Sequence, residues 1–216
     1  MTPVRILIAD DHEVVRRGIA AQISQHPDWQ VVAEATNGRD AVTLALDLKP
    51  DLIVLDLTMP ELNGLAAASR ILASWPEARI VILTVHESEQ LVREVLAAGA
   101  RGYVLKSDAG RILMAALETL LEDGSFFTPK FGRMVLDGYL RNPSTADEPG
   151  VAALSARERE IVQLLAEGKS NKEVAAALGI TVKTAETHRG NIMRKGGFGS
   201  LAELVRYAIR NRIIEP

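Results

Sequence analysis

Apolar residues follow two rhythms along this chain. From residue 4 to about 123, short runs rich in Val, Ile and Leu alternate with longer helix-favouring stretches. The short runs are 4–9 (VRILIA), 31–35, 52–55, 80–83 and 103–105, and the longer stretches cover about 13–25, 39–48, 65–74, 88–98 and 108–122. A short apolar run bounded by turn residues reads as a strand buried on both faces, which a parallel sheet between helical layers requires. Five strand-then-helix repeats predict a doubly wound α/β fold with a parallel sheet. The breakers fall between the segments, at Pro27, Asn37-Gly38, Pro50, Pro76 and Gly99.

After Gly124 the rhythm changes. Phe127-Thr128-Pro129 reads as a helix start, with Lys130 to Leu140 as one more short helix. Residues 142–150, NPSTADEPG, carry two prolines and no apolar residue except Ala146, and form the best linker candidate. Everything from Leu154 to Ile214 is helical in pattern. Ser155 and Glu158 make a capping box ahead of Ile161, Leu164 and Leu165. A second helix starts at Ser170 and is stopped by Gly179, a third runs from Thr181 to about Lys195, and a fourth from Ser200 to Asn211. Four short helices, the second and third separated only by Gly179-Ile180, predict an all-α helix-turn-helix unit. The expected organisation is a domain at 1–123, a linker with a short helix at 124–153, and a helical domain at 154–216.

Charge supports that division. From Ser155 to the end there are 11 Lys+Arg against 7 Asp+Glu, a net of +4; the 14 basic and 21 acidic residues before it give −7. A basic helical tail behind an acidic front half fits a nucleic-acid contact in the tail. The chain has no cysteine, which excludes disulfides, thiolate metal sites and a Cys nucleophile. No apolar run approaches the roughly 18 residues of a membrane span, and MTPVRILIADD runs straight into a strand. The expected location is cytoplasmic.

The candidate chemistry sits at the carboxyl ends of the strands, where open α/β sheets place their ligands. Asp10 and Asp11 follow the first strand and Asp56 ends the third. Asp56 in that position can be a metal ligand, a base or a nucleophile. Were the first and third strands neighbours, three carboxylates would converge, and their repulsion calls for a bound cation. Hard oxygen ligands suit Mg²⁺. The bland alternative takes Asp10 as a helix N-cap and Asp56 as a loop acid. Against it, Thr84 follows the fourth strand and Lys106 the fifth, delivering a hydroxyl and an ammonium to the same edge. Together these groups suit phosphoryl transfer to a carboxylate.

ADD at 9–11, DLTMPELNGL at 56–65, Thr84 and GYVLK at 102–106 resemble the receiver domain of bacterial two-component response regulators. The resemblance implies a flavodoxin-like fold with five parallel strands in the order 2-1-3-4-5. It implies that Asp56 accepts phosphate from a sensor histidine kinase. It also implies that Asp11, Asp56 and the Thr58 carbonyl bind Mg²⁺ with Asp10 helping through water, and that Lys106 pairs with the phosphoryl oxygens. Thr84 and Tyr103 become the switch pair, and Thr58 and His86 flank the phosphate.

The tail, LSAREREIVQLLAEGKSNKEVAAALGITVKTAETHRGNIMRK at 154–195, resembles the LuxR-type helix-turn-helix of the NarL/FixJ subfamily of response regulators. That implies a third helix, about 182–195, lying in the major groove of double-stranded DNA. Lys183, Glu186, Thr187 and Gly190 are then the candidates for reading bases, with Thr184 also among the DNA-binding residues. His188, Arg189, Arg194 and Lys195 are the candidates for phosphate or nearby contacts. Ala185 and Gly196 depart from the family, which has larger aliphatic residues there; Gly196 as a helix-terminal glycine with Phe198 filling the gap is one resolution. Leu201, Leu204, Val205, Ala208 and Ile209 form one face of the last helix, which the family uses for dimerisation. The implied whole is a transcription regulator, not an enzyme. Its rivals are a metal-dependent aspartyl-phosphate phosphatase or phosphotransferase, disfavoured by Thr58 where such enzymes place a second acid, and a regulator that binds DNA regardless of phosphate.

Overall fold

A computed structural model describes residues 2–86, 89–128, 131 and 154–214. The predicted helix at 130–140 and the linker at 142–150 therefore lie outside the described residues, Phe131 excepted. The chain divides into two compact units, 1–143 and 144–216.

The first unit is built on strands β1 (Val4–Ala9), β2 (Trp29–Ala35), β3 (Leu52–Asp56), β4 (Ile80–Thr84) and β5 (Gly102–Leu105). Helices α1 (Glu13–Ile23), α2 (Gly38–Leu48), α3 (Gly64–Ser74), α4 (Glu89–Ala97) and α5 (Ala109–Leu121) alternate with them. All strand pairs are parallel, in the order 2-1-3-4-5 that the resemblance implied. Strand alternation sorts the side chains into two cores. Ile6, Ile8, Leu52, Val54, Val81 and Leu83 pack with residues of α1 and α5. Leu7, Ala9, Ile53, Leu55, Ile80 and Ile82 pack with residues of α2, α3 and α4 on the other face. Strands β3 and β4 are buried along their whole length, which is why they read as unbroken apolar runs.

The sheet carries one strand beyond the five predicted. Phe126–Phe127, of which Phe127 was expected to belong to a helix start, forms β6 and pairs in parallel with β5. Two residues have no periodicity to read. Tertiary burial selects the strand: the Phe127 ring stacks on Phe131 at 4.6 Å, and Phe131 lies against Tyr103 at 4.7 Å.

The second unit contains α6 (Ala156–Ala166), α7 (Asn171–Leu178), α8 (Val182–Lys195) and α9 (Leu201–Arg210). Each starts at the residue that the local signals mark. Ser155 and Ser170 make full capping boxes with Glu158 and Glu173, and the Thr181 and Ser200 side chains accept from Thr184 and Glu203 amides. Gly179 ends α7 in the left-handed conformation, which a residue with a Cβ adopts only with strain. Ile161, Leu164, Leu165, Val174, Ile192 and Leu204 form the core of this unit. Among the described residues no helix is long and apolar enough to cross a membrane.

Candidate functional site

Parallel pairing of β1 with β3, and of β3 with β4 and β4 with β5, brings the ends of four strands to one edge. Asp10, Asp56 and Lys106 meet there. Asp10 is fully buried and Asp56 is 2% exposed. The Lys106 Nζ stands 2.8 Å from Asp10 Oδ2 and 2.9 Å from Asp56 Oδ2. Asp11 is partly exposed at the rim, against His12. The loop after β3 is held close to the sheet: Leu57 N–H donates to Leu83 O, and Gly64 N–H to Leu57 O, both at 2.8 Å. A Cβ on Gly64 would stand 2.1 Å from the Asp56 carbonyl oxygen, so only glycine lets α3 start this close to the Asp56 backbone.

Two carboxylates out of water beside one ammonium make a strained electrostatic arrangement. Burial pushes the Asp56 carboxyl up to about 7, with the neighbouring Asp10 charge adding to it and Lys106 opposing. Burial acts downward on Lys106, but its contacts with Asp10 and Asp56 outweigh that and raise it. Asp10 Oδ2 and Asp56 Oδ2 are both held by the Lys106 ammonium. Ligand atoms of Asp10, Asp11, His12 and Asp56 lie within 4.8 Å of one another. Carboxylate oxygens gathered around a shared point, two of them buried, fit a hard divalent cation.

The remaining predicted residues surround this centre. Thr84, 1% exposed, ends β4, its hydroxyl accepting from His86 N–H at 3.0 Å. Its carbonyl accepts from Lys106 N–H at 2.8 Å, tying the two site strands together. Tyr103 is 1% exposed, with its ring in the core and its hydroxyl donating to the His86 carbonyl. Thr58 is half-buried two residues beyond Asp56. The alternative role for Asp10 as helix N-cap does not hold: His12 occupies that position, and the Asp10 carboxylate accepts from His12 N–H at 2.8 Å. His12 itself was overlooked in the sequence, although it directly follows Asp10-Asp11.

In the second unit, α8 presents Val182, Lys183, Glu186, Thr187, Gly190, Asn191 and Arg194 on an exposed stripe at helical spacing. Val182 and Asn191 were not singled out from the sequence. Thr184, His188 and Arg189 are half-buried. The Thr184 hydroxyl bonds that of Thr181 at 2.9 Å, and Arg189 reaches Asn171 at the start of α7 at 3.3 Å. Lys195 is exposed but pairs with Glu158 of α6 at 2.8 Å. Arg157 also fastens the unit: it meets Glu160 at 2.9 Å and donates to the Leu178 carbonyl at the end of α7.

Ala185 is buried, and Gly196 has its space filled by Phe198, whose ring atoms stand 2.1–2.6 Å from where a Cβ would be. The left-handed glycine ending α8 is the next one, Gly197. On α9, Leu204 and Ala208 are buried, whereas Leu201 is exposed and Val205 and Ile209 are half-buried. The apolar stripe thus divides between core and surface.

An acidic, lysine-bearing edge on a doubly wound sheet, followed by a separate helix-turn-helix unit, defines a switchable DNA-binding regulator. Residues 6–118 match the response regulator receiver domain, and residues 152–208 match the bacterial regulatory proteins of the luxR family. The oxygen regulatory protein NreC of Staphylococcus aureus is 38% identical over 217 residues, covering 98% of this chain and all of NreC. A LuxR-family two-component response regulator from Aurantimonas sp. SI85-9A1 is 33% identical with a TM-score of 0.61, covering 64% of this chain and 99% of that one. RcsB of Salmonella typhimurium is 26% identical with a TM-score of 0.64, covering 96% of this chain and 97% of that one. RcsB in its complex with DNA matches at 26% identity and a TM-score of 0.58, over 95% and 98% of the two chains. The chain belongs to the two-component response regulators that carry a LuxR-type DNA-binding domain, and it is a transcription regulator.

Proposed function

We propose that Asp56 is the phospho-acceptor through which a sensor histidine kinase controls DNA binding. The observation that carries this reading is the buried Asp56 carboxylate with the Lys106 ammonium 2.9 Å away and Asp10 and Asp11 beside it. An Asp56 oxygen attacks the phosphorus of a phosphohistidine, the new O–P bond forms as the N–P bond breaks, and the imidazole nitrogen leaves with the electron pair. Lys106 pairs with the phosphoryl oxygens. Asp11, Asp56 and the Thr58 carbonyl would hold Mg²⁺, with Asp10 helping through water, and the ion would neutralise charge on the transferred group.

The added phosphoryl charge draws the Thr84 hydroxyl toward it, which releases the bond from His86 N–H and alters the carbonyl that holds Tyr103. Those two side chains therefore form the switch that reports phosphorylation. In the second unit, Lys183, Glu186 and Thr187 face the bases of the major groove, Thr184 lies beside them at the start of the helix, and His188, Arg189, Arg194 and Lys195 serve its phosphates. RcsB has been solved as dimers on DNA, and the surface part of the α9 stripe, Leu201, Val205 and Ile209, offers this chain a dimer contact. The protein acts in the cytoplasm, where its operator is.

An operator titration with wild type and Asp56→Ala, with and without a small-molecule phosphoryl donor, tests the reading. The donor tightens wild-type binding and leaves Asp56→Ala unchanged. Equal affinity in all four samples overturns phosphorylation control.

A further inference from the structure

The exposed stripe of α8 carries one apolar side chain, Val182, which is 42% exposed. A single exposed valine is ordinary on a protein surface, but the place of this one is not. It stands in the first turn of the helix assigned above to the major groove, and the first residues of such a helix are the ones that meet base edges. The Thr181 side chain fixes that turn by accepting from the Thr184 N–H, and the Thr184 hydroxyl is itself engaged with that of Thr181 at 2.9 Å. A valine in a helix keeps essentially one rotamer, so the Val182 methyls are presented with little freedom left to lose on binding.

Glu186 follows on the same row of the helix, exposed and without an ion pair among the described residues. Residues spaced i and i+4 have Cβ atoms about 6 Å apart, close to the length of two base steps at roughly 3.4 Å each. A carboxylate in a groove walled by phosphates is repelled from both sides, and only a donor on a base edge offsets that. Guanine shows acceptors there, thymine an acceptor and a methyl, and adenine an acceptor beside its amine; cytosine shows the amine alone. Gly190 ends the row, and a Cβ there would meet nothing within 4 Å. The row therefore offers two contacts, one apolar and one accepting, and then bare backbone.

We propose that Val182 and Glu186 form one reading unit, in which Val182 packs on the C5-methyl of a thymine and Glu186 accepts from the amine of a cytosine within two base pairs of it. The inference rests on α8 lying in the major groove, as proposed above, and adds the bases that it selects there. Arg194 contributes attraction that any sequence satisfies; Val182 and Glu186 contribute the choice.

The test selects binding sites for the full chain from a randomised duplex library, with a small-molecule phosphoryl donor present. The enriched duplex is remade with uracil for each thymine, or N4-methylcytosine for each cytosine, one position at a time, and binding is followed by fluorescence anisotropy. Uracil lacks only the methyl; N4-methylcytosine loses the groove-facing hydrogen of its amine and still pairs with guanine. Wild type loses about fourfold in affinity at one thymine of the half-site and about tenfold or more at one cytosine within two base pairs of it. Val182→Ala loses the uracil response and keeps the cytosine response, and Glu186→Ala does the reverse. No uracil penalty in wild type, or one of equal size in Val182→Ala, overturns the role of Val182. Tighter binding of Glu186→Ala to every duplex, with the cytosine penalty retained, marks a solvated acid and overturns the role of Glu186. Enrichment of no sequence overturns both, together with the placement of α8 in the groove. The expected pattern upholds the pair whether or not the donor tightens binding, so phosphorylation control stands or falls separately.

Discussion

Burial of Asp56 makes a quantitative prediction about stability against pH. Its folded carboxyl titrates at about 7 against an ordinary value of 3.8, so the folded state holds a proton that the unfolded chain has released. Stability is therefore greatest below the unfolded value and falls as pH rises through the window between the two. A gap of about three units corresponds to about 4 kcal/mol at 1.36 kcal/mol per unit. Roughly 3 kcal/mol of it falls between pH 5 and pH 8. Asp56→Asn removes the titration while keeping the shape. The variant should be more stable than wild type by roughly 1.5 kcal/mol at pH 5 and by about 4 kcal/mol at pH 8 with divalent ions chelated, so that its lead grows by roughly 3 kcal/mol across the range. The assay is urea unfolding followed by tryptophan fluorescence, because both tryptophans, Trp29 and Trp75, lie in the first unit. Saturating Mg²⁺ at pH 8 should narrow the difference by stabilising the wild-type carboxylates. Parallel loss of stability in the two proteins from pH 5 to pH 8 would refute the reasoning.

Other predictions follow from single contacts. Gly64→Ala sets a Cβ 2.1 Å from the Asp56 carbonyl oxygen, a backbone clash, and should destabilise the first unit by more than about 2 kcal/mol and slow phosphoryl uptake from a small-molecule donor. Ser170→Ala removes the capping box of α7 and should lower the stability of the second unit by about 1 kcal/mol, read from the helical circular dichroism of its thermal transition. In salt-dependent operator titrations, Arg194→Ala, on the exposed stripe, should reduce the slope of log affinity on log salt by about 0.9 if it neutralises one phosphate. Lys195→Ala should reduce it by less, because Glu158 already holds that ammonium at 2.8 Å. An equal loss for Arg194→Ala and Lys195→Ala would show that the Glu158 pair opens on DNA.

Much of the site was legible because each residue is placed by a local rule. Asp10, Asp56, Thr84 and Lys106 lie at or just past strand ends, and a parallel sheet puts all its carboxyl ends on one edge whatever the strand order. His12 was not legible: nothing in ADDH says whether the imidazole turns to the helix amides or to the carboxylates. The partner of Lys195 was hidden for a related reason. Glu158 is claimed in sequence by its capping box with Ser155, and only the packing of α6 against α8 shows that the same carboxylate also meets an ammonium.

Alternating strand and helix patterns, the four capped helices of the tail and the stop at Gly179 were determined by the sequence alone. They depend on periodicity and on hydrogen bonds spanning three or four residues, and no distant contact changes them. Tertiary structure decided the rest. It made Phe126–Phe127 a strand by offering the free edge of β5 and the ring of Phe131, neither of which is a local property of two residues. It split the stripe on α9 between core and surface. It also raised the Asp56 carboxyl to about 7, because desolvation and the charge of Asp10 act through space, between residues that the chain keeps far apart and only the sheet brings together.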